Sequence, residues 1–139
     1  MKDMKLKFTT RVVLVAWSLA AASLAEELEA GQWGHWRGDG NGVSVDANPP
    51  ISWSASDNIK WKVEIPGAGS GSPVVWEQNV FVVSGVPAGG AARGGLLFTL
   101  FCFDRQTGNL KWKRVAVVAV PHEGTHGTNN FAPASPCTD

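Results

Sequence analysis

Cys102-Phe103-Asp104-Arg105-Gln106-Thr107-Gly108-Asn109-Leu110-Lys111-Trp112 reads as the end of one strand, a tight turn and the start of a second strand. The run that leads into it, Leu96-Leu97-Phe98-Thr99-Leu100-Phe101-Cys102-Phe103, is made of strand formers. Asp104 can hydrogen-bond the backbone of its own turn, and Gly108 supplies the positive φ that closes a bulged hairpin. A strand resumes at Asn109. Trp112 then follows Asp104 by eight residues, with Lys111 and Lys113 beside it as the polar face of a half-buried strand.

The same pattern extends upstream. Asn58-Ile59-Lys60-Trp61-Lys62-Val63-Glu64-Ile65 alternates apolar and polar residues, which predicts a strand with one buried face that Pro66-Gly67 ends. Ser72-Pro73-Val74-Val75-Trp76 reads as a second strand, Glu77-Gln78-Asn79 as a turn, and Val80-Phe81-Val82-Val83-Ser84 as a third strand. Residues 85–95 are rich in glycine and alanine and read as a loop. The central stretch supplies the fourth and fifth strands, which end near Val120.

Two pieces of the chain repeat. Ile59-Lys60-Trp61-Lys62-Val63 aligns with Leu110-Lys111-Trp112-Lys113-Arg114, and Gly71-Ser72-Pro73-Val74 aligns with Ala134-Ser135-Pro136-Cys137. The tryptophans are 51 residues apart and the Ser-Pro pairs 63 apart, residues 121–131 adding the extra length. Four strands per repeat of about 40–50 residues is the pattern of propeller blades.

Residues 1–25 read as a signal peptide. Lys2, Lys5, Lys7 and Arg11 form a basic start, residues 12–22 an apolar run, and Ser23-Leu24-Ala25 a small-residue cleavage site. The apolar run is shorter than the roughly 20 residues of a membrane span, so no transmembrane span is expected after signal removal. The product is expected in the periplasm or outside the cell. The chain has twelve basic and twelve acidic residues; removing the segment takes four and one, leaving eight against eleven. No basic cluster of the kind that binds phosphate is present, which argues against a nucleic-acid partner. Cys102 reads as a buried strand residue, with a bridge to Cys137 as the alternative.

Residues 26–58 are rich in Trp, Gly, Ser, Asn and Pro without helical period and read as an irregular arm. Trp33 and Trp36 are expected to pack it onto the body of the protein. Arg37-Gly38-Asp39 is the integrin-binding tripeptide, a short match that chance supplies often. Asp39-Gly40-Asn41-Gly42 opens like a calcium loop, but Val43 stands at the next ligand position and no closing glutamate follows. Further on, Pro121-His122-Glu123-Gly124-Thr125-His126 contains the H-E-x-x-H of zinc proteases. That motif works on a helix, where both histidines share a face, and the proline, glycines and threonines here are poor helix material. The segment is therefore expected to be a loop without zinc.

Taken together, these stretches resemble the exported bacterial members of the pyrroloquinoline-quinone-like (PQQ-like) β-propeller family. Cys102, Asp104, Thr107, Gly108 and Trp112 match the tryptophan-docking motif A-x-D-x-x-T-G-x-x-x-W of that family, with Cys102 in place of alanine. Trp33-Gly34-His35-Trp36-Arg37-Gly38 with Gly42-Val43-Ser44 resembles the W-x-x-W-R-G…G-x-S opening before such propellers. Residues 121–136 resemble an inter-blade segment, read through Pro121-His122-Glu123-Gly124-Thr125-His126, Asn130, Phe131-Ala132 and Ser135-Pro136.

The resemblance implies an all-β fold, an antiparallel four-stranded blade of a PQQ-like propeller that is incomplete in this chain. Residues 59–139 would hold the first blade, from 72 to about 118, an extra strand before it and the start of a second blade after it. Trp112 is expected to be largely buried near Cys102 and to stack on the neighbouring blade's turn. His122, Glu123, His126 and Asn130 are expected to line the ligand-facing end. The function implied first is a non-enzymatic binding or assembly scaffold for a protein or small-molecule ligand. The alternative is a fragment of a PQQ-dependent quinoprotein dehydrogenase. That enzyme needs an adjacent cysteine pair, an aspartate base and calcium-binding carboxylates. None is identifiable here, so PQQ and calcium would enter only through a site supplied by further blades.

Overall fold

The computed structural model describes residues 31–44, 48–89 and 94–139; the signal-peptide reading of residues 1–25 lies outside them. Four strands form one antiparallel sheet: β1 (Val74–Trp76), β2 (Asn79–Pro87), β3 (Leu96–Asp104) and β4 (Leu110–Ala119), laid side by side in chain order. The architecture is all-β, and among the described residues no helix is long and apolar enough to cross a membrane.

Short connections dictate this meander. Trp76 pairs with Asn79 across the two-residue turn Glu77-Gln78, in which Glu77 takes a φ of 50°. Arg105 braces that turn, its amide donating to the Gln78 carbonyl at 3.1 Å and its guanidinium to the Glu77 carbonyl at 3.3 Å. The β2–β3 register runs unbroken from Asn79↔Asp104 to Pro87↔Leu96. Against β3, β4 carries two irregularities, between the Phe98 and Thr99 pairings and between the Cys102 and Phe103 pairings. Each adds one β4 residue, Ala116 and Lys111, and a bulge of that kind deepens the twist of an edge strand.

One face of the sheet carries the core. Val80, Phe101 and Phe103 are buried there, with Trp61, Ile65, Val75, Val82 and Val86 packed against them. The Phe101 and Phe103 rings lie 6.2 Å apart and nearly parallel. On the opposite face Val74, Phe81, Cys102 and Trp112 follow one another across the four strands. Every residue of β4 is exposed, and Leu110, Val115, Val117 and Val118 leave an apolar surface on the outermost strand.

Three expectations need correction. Residues 58–65 do not pair as a strand. Their alternation reports burial rather than a ladder: the segment crosses the sheet as a strap, with Trp61 and Ile65 on the core and Ile59 and Val63 exposed. The loop expected from residue 85 begins later, because Gly85, Val86 and Pro87 complete β2. Gly85 exchanges both backbone hydrogen bonds with Ala68, and a Cβ on the neighbouring Gly67 would stand 2.3 Å from the Gly85 carbonyl oxygen. Glycine is thus required at position 67, where φ is 83°, for close backbone approach, whereas a Cβ at Gly85 would meet nothing nearer than 3.5 Å. In the arm, Trp33 does pack on the body, exchanging two backbone hydrogen bonds with Val75 at 2.7 and 2.9 Å. Trp36 does not. It sits on the turn over residues 36–41 and is exposed, with the Arg37 guanidinium 5.4 Å from its ring centroid.

Candidate functional site

The turn between β3 and β4 is organised by one carboxylate. Asp104 Oδ1 accepts hydrogen bonds from the Gln106 amide (3.0 Å), the Thr107 amide (2.9 Å) and the Thr107 hydroxyl (2.9 Å). The backbone closes around it, Gly108 N–H donating to the Asp104 carbonyl and Asp104 N–H to the Asn109 carbonyl, both at 2.8 Å. Gly108 takes a φ of 73°, where a side chain would be strained. The Thr107 amide and hydroxyl, with smaller help from the Gln106 amide and the Lys111 charge, hold the Asp104 carboxyl below its ordinary range.

Onto this turn the strap lays Trp61. A Cβ at Gly108 would stand 2.7 Å from the indole, so the ring rests directly on the bare Cα. The indole N–H donates to the Arg105 carbonyl at 2.9 Å, and the Lys60 ammonium reaches the Gln106 side-chain oxygen. The site is therefore a tryptophan clamped on an Asp-x-x-Thr-Gly turn by one backbone hydrogen bond and by van der Waals contact that only glycine permits.

Trp112 stands in the same sequence context one repeat later but is placed differently. It pairs with Cys102 and its ring centroid lies 6.0 Å from that of Phe81. Yet 38% of it is exposed, not largely buried as expected, because β4 is the last strand and no described residue covers that side of the indole. Cys102 below it is fully buried, with its thiol 3.6 Å from Asn79 Oδ1, an oxygen that also accepts from Lys111 Nζ at 2.6 Å. Burial raises the Cys102 pKa, with the Lys111 charge opposing.

The other expected residues do not converge with this turn. Residues 121–126 form a loop. His122 and Glu123 face each other at 3.6 Å in solvent, on the rim of an open groove of about 340 Å³ floored by Phe98, Val120 and Phe131. His126 Nδ1 bonds the Thr128 hydroxyl at 2.9 Å. Asn130 serves the chain path, accepting from the Ala132 amide at 2.9 Å and donating to the Ser70 hydroxyl. In the arm, Asp39 and Asn41 bond one another and the backbone of their own turn.

Among the described residues no three His, Cys, Asp or Glu side chains come together as a metal-ligand set. Cys102 and Cys137 are free thiols, one buried and one exposed.

A second groove of about 450 Å³ lies between the arm and the tail, lined by His35, Trp36, Ser70, Ser72, Ser135 and Cys137. There the two Ser-Pro repeats meet, the Ser135 hydroxyl accepting from the Ser72 amide at 2.7 Å. The repeat alignment was the sequence signal for this contact, although it does not by itself say that the copies touch.

No family model, no curated protein and no solved structure matches the chain.

Proposed function

We propose that the chain is a blade of an exported PQQ-like β-propeller that serves as a non-enzymatic binding or assembly scaffold, and that His122, Glu123, His126 and Asn130 belong to its ligand-facing loops. The observation that carries this reading is the clamp of Trp61 on Gly108 and the Arg105 carbonyl. The resemblance implies that the tryptophan of one repeat caps the turn of the next, and repeats of this kind are held by contacts with their neighbours. Trp61 occupies the place in its repeat that Trp112 occupies in the following one. Trp112, exposed on the outermost strand, is then the capping residue offered to a neighbouring blade. The four-stranded meander and its uncovered β4 surface support the same reading, since a blade buries its faces against its neighbours.

The test is a quinone assay. The purified protein is incubated with pyrroloquinoline quinone and calcium, desalted, and offered a panel of alcohols and sugars with an electron-accepting dye. The scaffold reading expects no quinone retained and no dye reduced above a protein-free control. Substrate-dependent dye reduction would replace it with the dehydrogenase reading.

A further inference from the structure

We propose that the open edge of β4 and the groove at its end form one surface that takes an extended peptide segment of a partner protein. The segment adds antiparallel to β4, with an apolar side chain in the groove and acidic residues beside Lys113 and Arg114. The proposal rests on the scaffold reading above and names what the scaffold holds.

The path of the chain leaves this edge open. Among the described residues β4 pairs with β3 alone, and all of its residues are exposed. The chain that follows does not fold back along it. Instead it returns to the β1 side of the sheet, where the Ala132 carbonyl accepts from the Ser70 amide, the Ser135 hydroxyl from the Ser72 amide and the Gly34 carbonyl from the Thr138 amide. An edge strand offers its outward N–H and C=O groups to an added strand. Main-chain hydrogen bonds then supply affinity, and a pocket for a side chain supplies specificity.

The pocket lies where the edge ends. Ala119 closes β4, and Val120 with Phe98 and Phe131 floors the groove of about 340 Å³ that His122 and Glu123 rim. Pro121 has no amide hydrogen to offer, so an added ladder stops at the groove. Its apolar floor and volume suit one large side chain of the added segment.

Charge selects the occupant. The first half of β4 carries Lys111, Lys113 and Arg114 and no acid. Lys111 is engaged by Asn79, whereas no carboxylate among the described residues pairs with Lys113 or Arg114. A second copy of β4 is disfavoured here. Paired antiparallel along its whole length, the twofold axis would fall between Arg114 and Val115 and bring Lys113 and Arg114 of both strands together. A strand with carboxylates at that place gains what the second copy loses. Every pairing in the sheet is antiparallel, so the acidic residues should follow the groove's side chain by about six residues, the span from Val120 back to Arg114.

The experiment uses the full chain and a fluorescein-labelled peptide of about ten residues, a strand's length. It alternates valine and threonine, with phenylalanine near its amino end and two glutamates about six residues later. Saturable binding by fluorescence anisotropy is expected, with slowed hydrogen exchange of β4 amides. Methylating alternate peptide amides removes the donors along one edge of the added strand. One alternate set should therefore abolish binding and the other leave it within about twofold. Replacing the phenylalanine by alanine should weaken binding about tenfold. Replacing the glutamates by lysines should weaken it about tenfold as well, and the double variant Lys113→Glu with Arg114→Glu should reverse that preference. The reversal separates lost charge pairing from a misfolded variant. No saturable binding, equal loss with both methylation sets, or one affinity for glutamate and lysine peptides would overturn the proposal and leave the scaffold reading standing. Dye reduction in the quinone assay would sink the scaffold reading instead.

Discussion

Replacing Trp61 tests the clamp at its centre. The indole packs against Val80, Phe101 and Phe103 and rests on Gly108. Taking roughly 100 Å² of ring as removed from water, at about 25 cal/mol per Å², the lost burial is about 2.5 kcal/mol. The hydrogen bond to the Arg105 carbonyl adds about 1 kcal/mol. Trp61→Ala should therefore cost about 3.5 kcal/mol, with little added for a cavity because the site lies at the surface and can refill with water. Trp61→Phe keeps most of the ring contact and loses the donor, so about 1 kcal/mol is expected. Urea unfolding followed by far-ultraviolet circular dichroism measures both. The midpoint should fall in the order wild type, Phe, Ala at an unchanged slope. A Trp61→Ala loss within about 0.5 kcal/mol, the range of ordinary surface substitutions, would refute the claim that the strap is docked.

Trp112→Ala, at a site 38% exposed, should cost the isolated chain only about 1–2 kcal/mol, and a loss like that of Trp61 in the same urea experiment would mean the ring is already covered. The Asp104 carboxyl is held below its ordinary range, so the folded state binds its proton less readily than the unfolded state. Its stabilising effect is full above the ordinary aspartate pKa of about 4 and is lost as pH falls through the lower folded value. Acid titration of stability should show that limb in wild type and a flattened one in Asp104→Asn. Of the two thiols, Cys137 should react first with a thiol reagent and Cys102 only on unfolding, because burial keeps Cys102 protonated and out of reach. Simultaneous labelling of both would contradict the buried Cys102. Metal analysis should find no stoichiometric zinc; zinc present in wild type and lost in His126→Ala would restore the H-E-x-x-H reading of the 121–126 loop.

The β-architecture was legible because its signals are local. Branched and aromatic runs marked β2, β3 and β4, and Asp104, Thr107 and Gly108 announced the turn that the hydrogen bonds display. What was misread depends on contacts between distant segments. Alternation over residues 58–65 correctly puts Trp61 and Ile65 on one side, but it cannot distinguish a strand in a ladder from a strap laid across a sheet. Gly85 reads as a loop residue because glycine lacks strand propensity, whereas its backbone pairs with Ala68 on one side and it lies in register with Phe98 on the other. Trp112 is 38% exposed because β4 is the last strand of the sheet, and the neighbouring turn that the resemblance places over the indole is not among the described residues.

The clamp itself was half visible. Aligning Trp61 with Trp112 put the two in equivalent places, yet nothing in that alignment says that Trp61 must reach Gly108, 47 residues further on. The receptor is made of backbone: a Cα without a side chain and a carbonyl oxygen, the latter supplied by Arg105. Any turn of this geometry can accept any suitably presented indole, so the turn alone does not choose its partner. Selection comes from the tether that keeps Trp61 close and from Lys60, which meets Gln106 at the rim. Exchanging Lys60 and Lys62 for glutamate should therefore loosen the strap while leaving the turn folded, because the hydrogen bonds that Asp104 accepts do not involve the strap. Faster exchange of the Trp61 indole N–H, with the Thr107 and Gly108 amides still protected, is the expected result by hydrogen exchange. Loss of all three together would mean that strap and turn form a single unit.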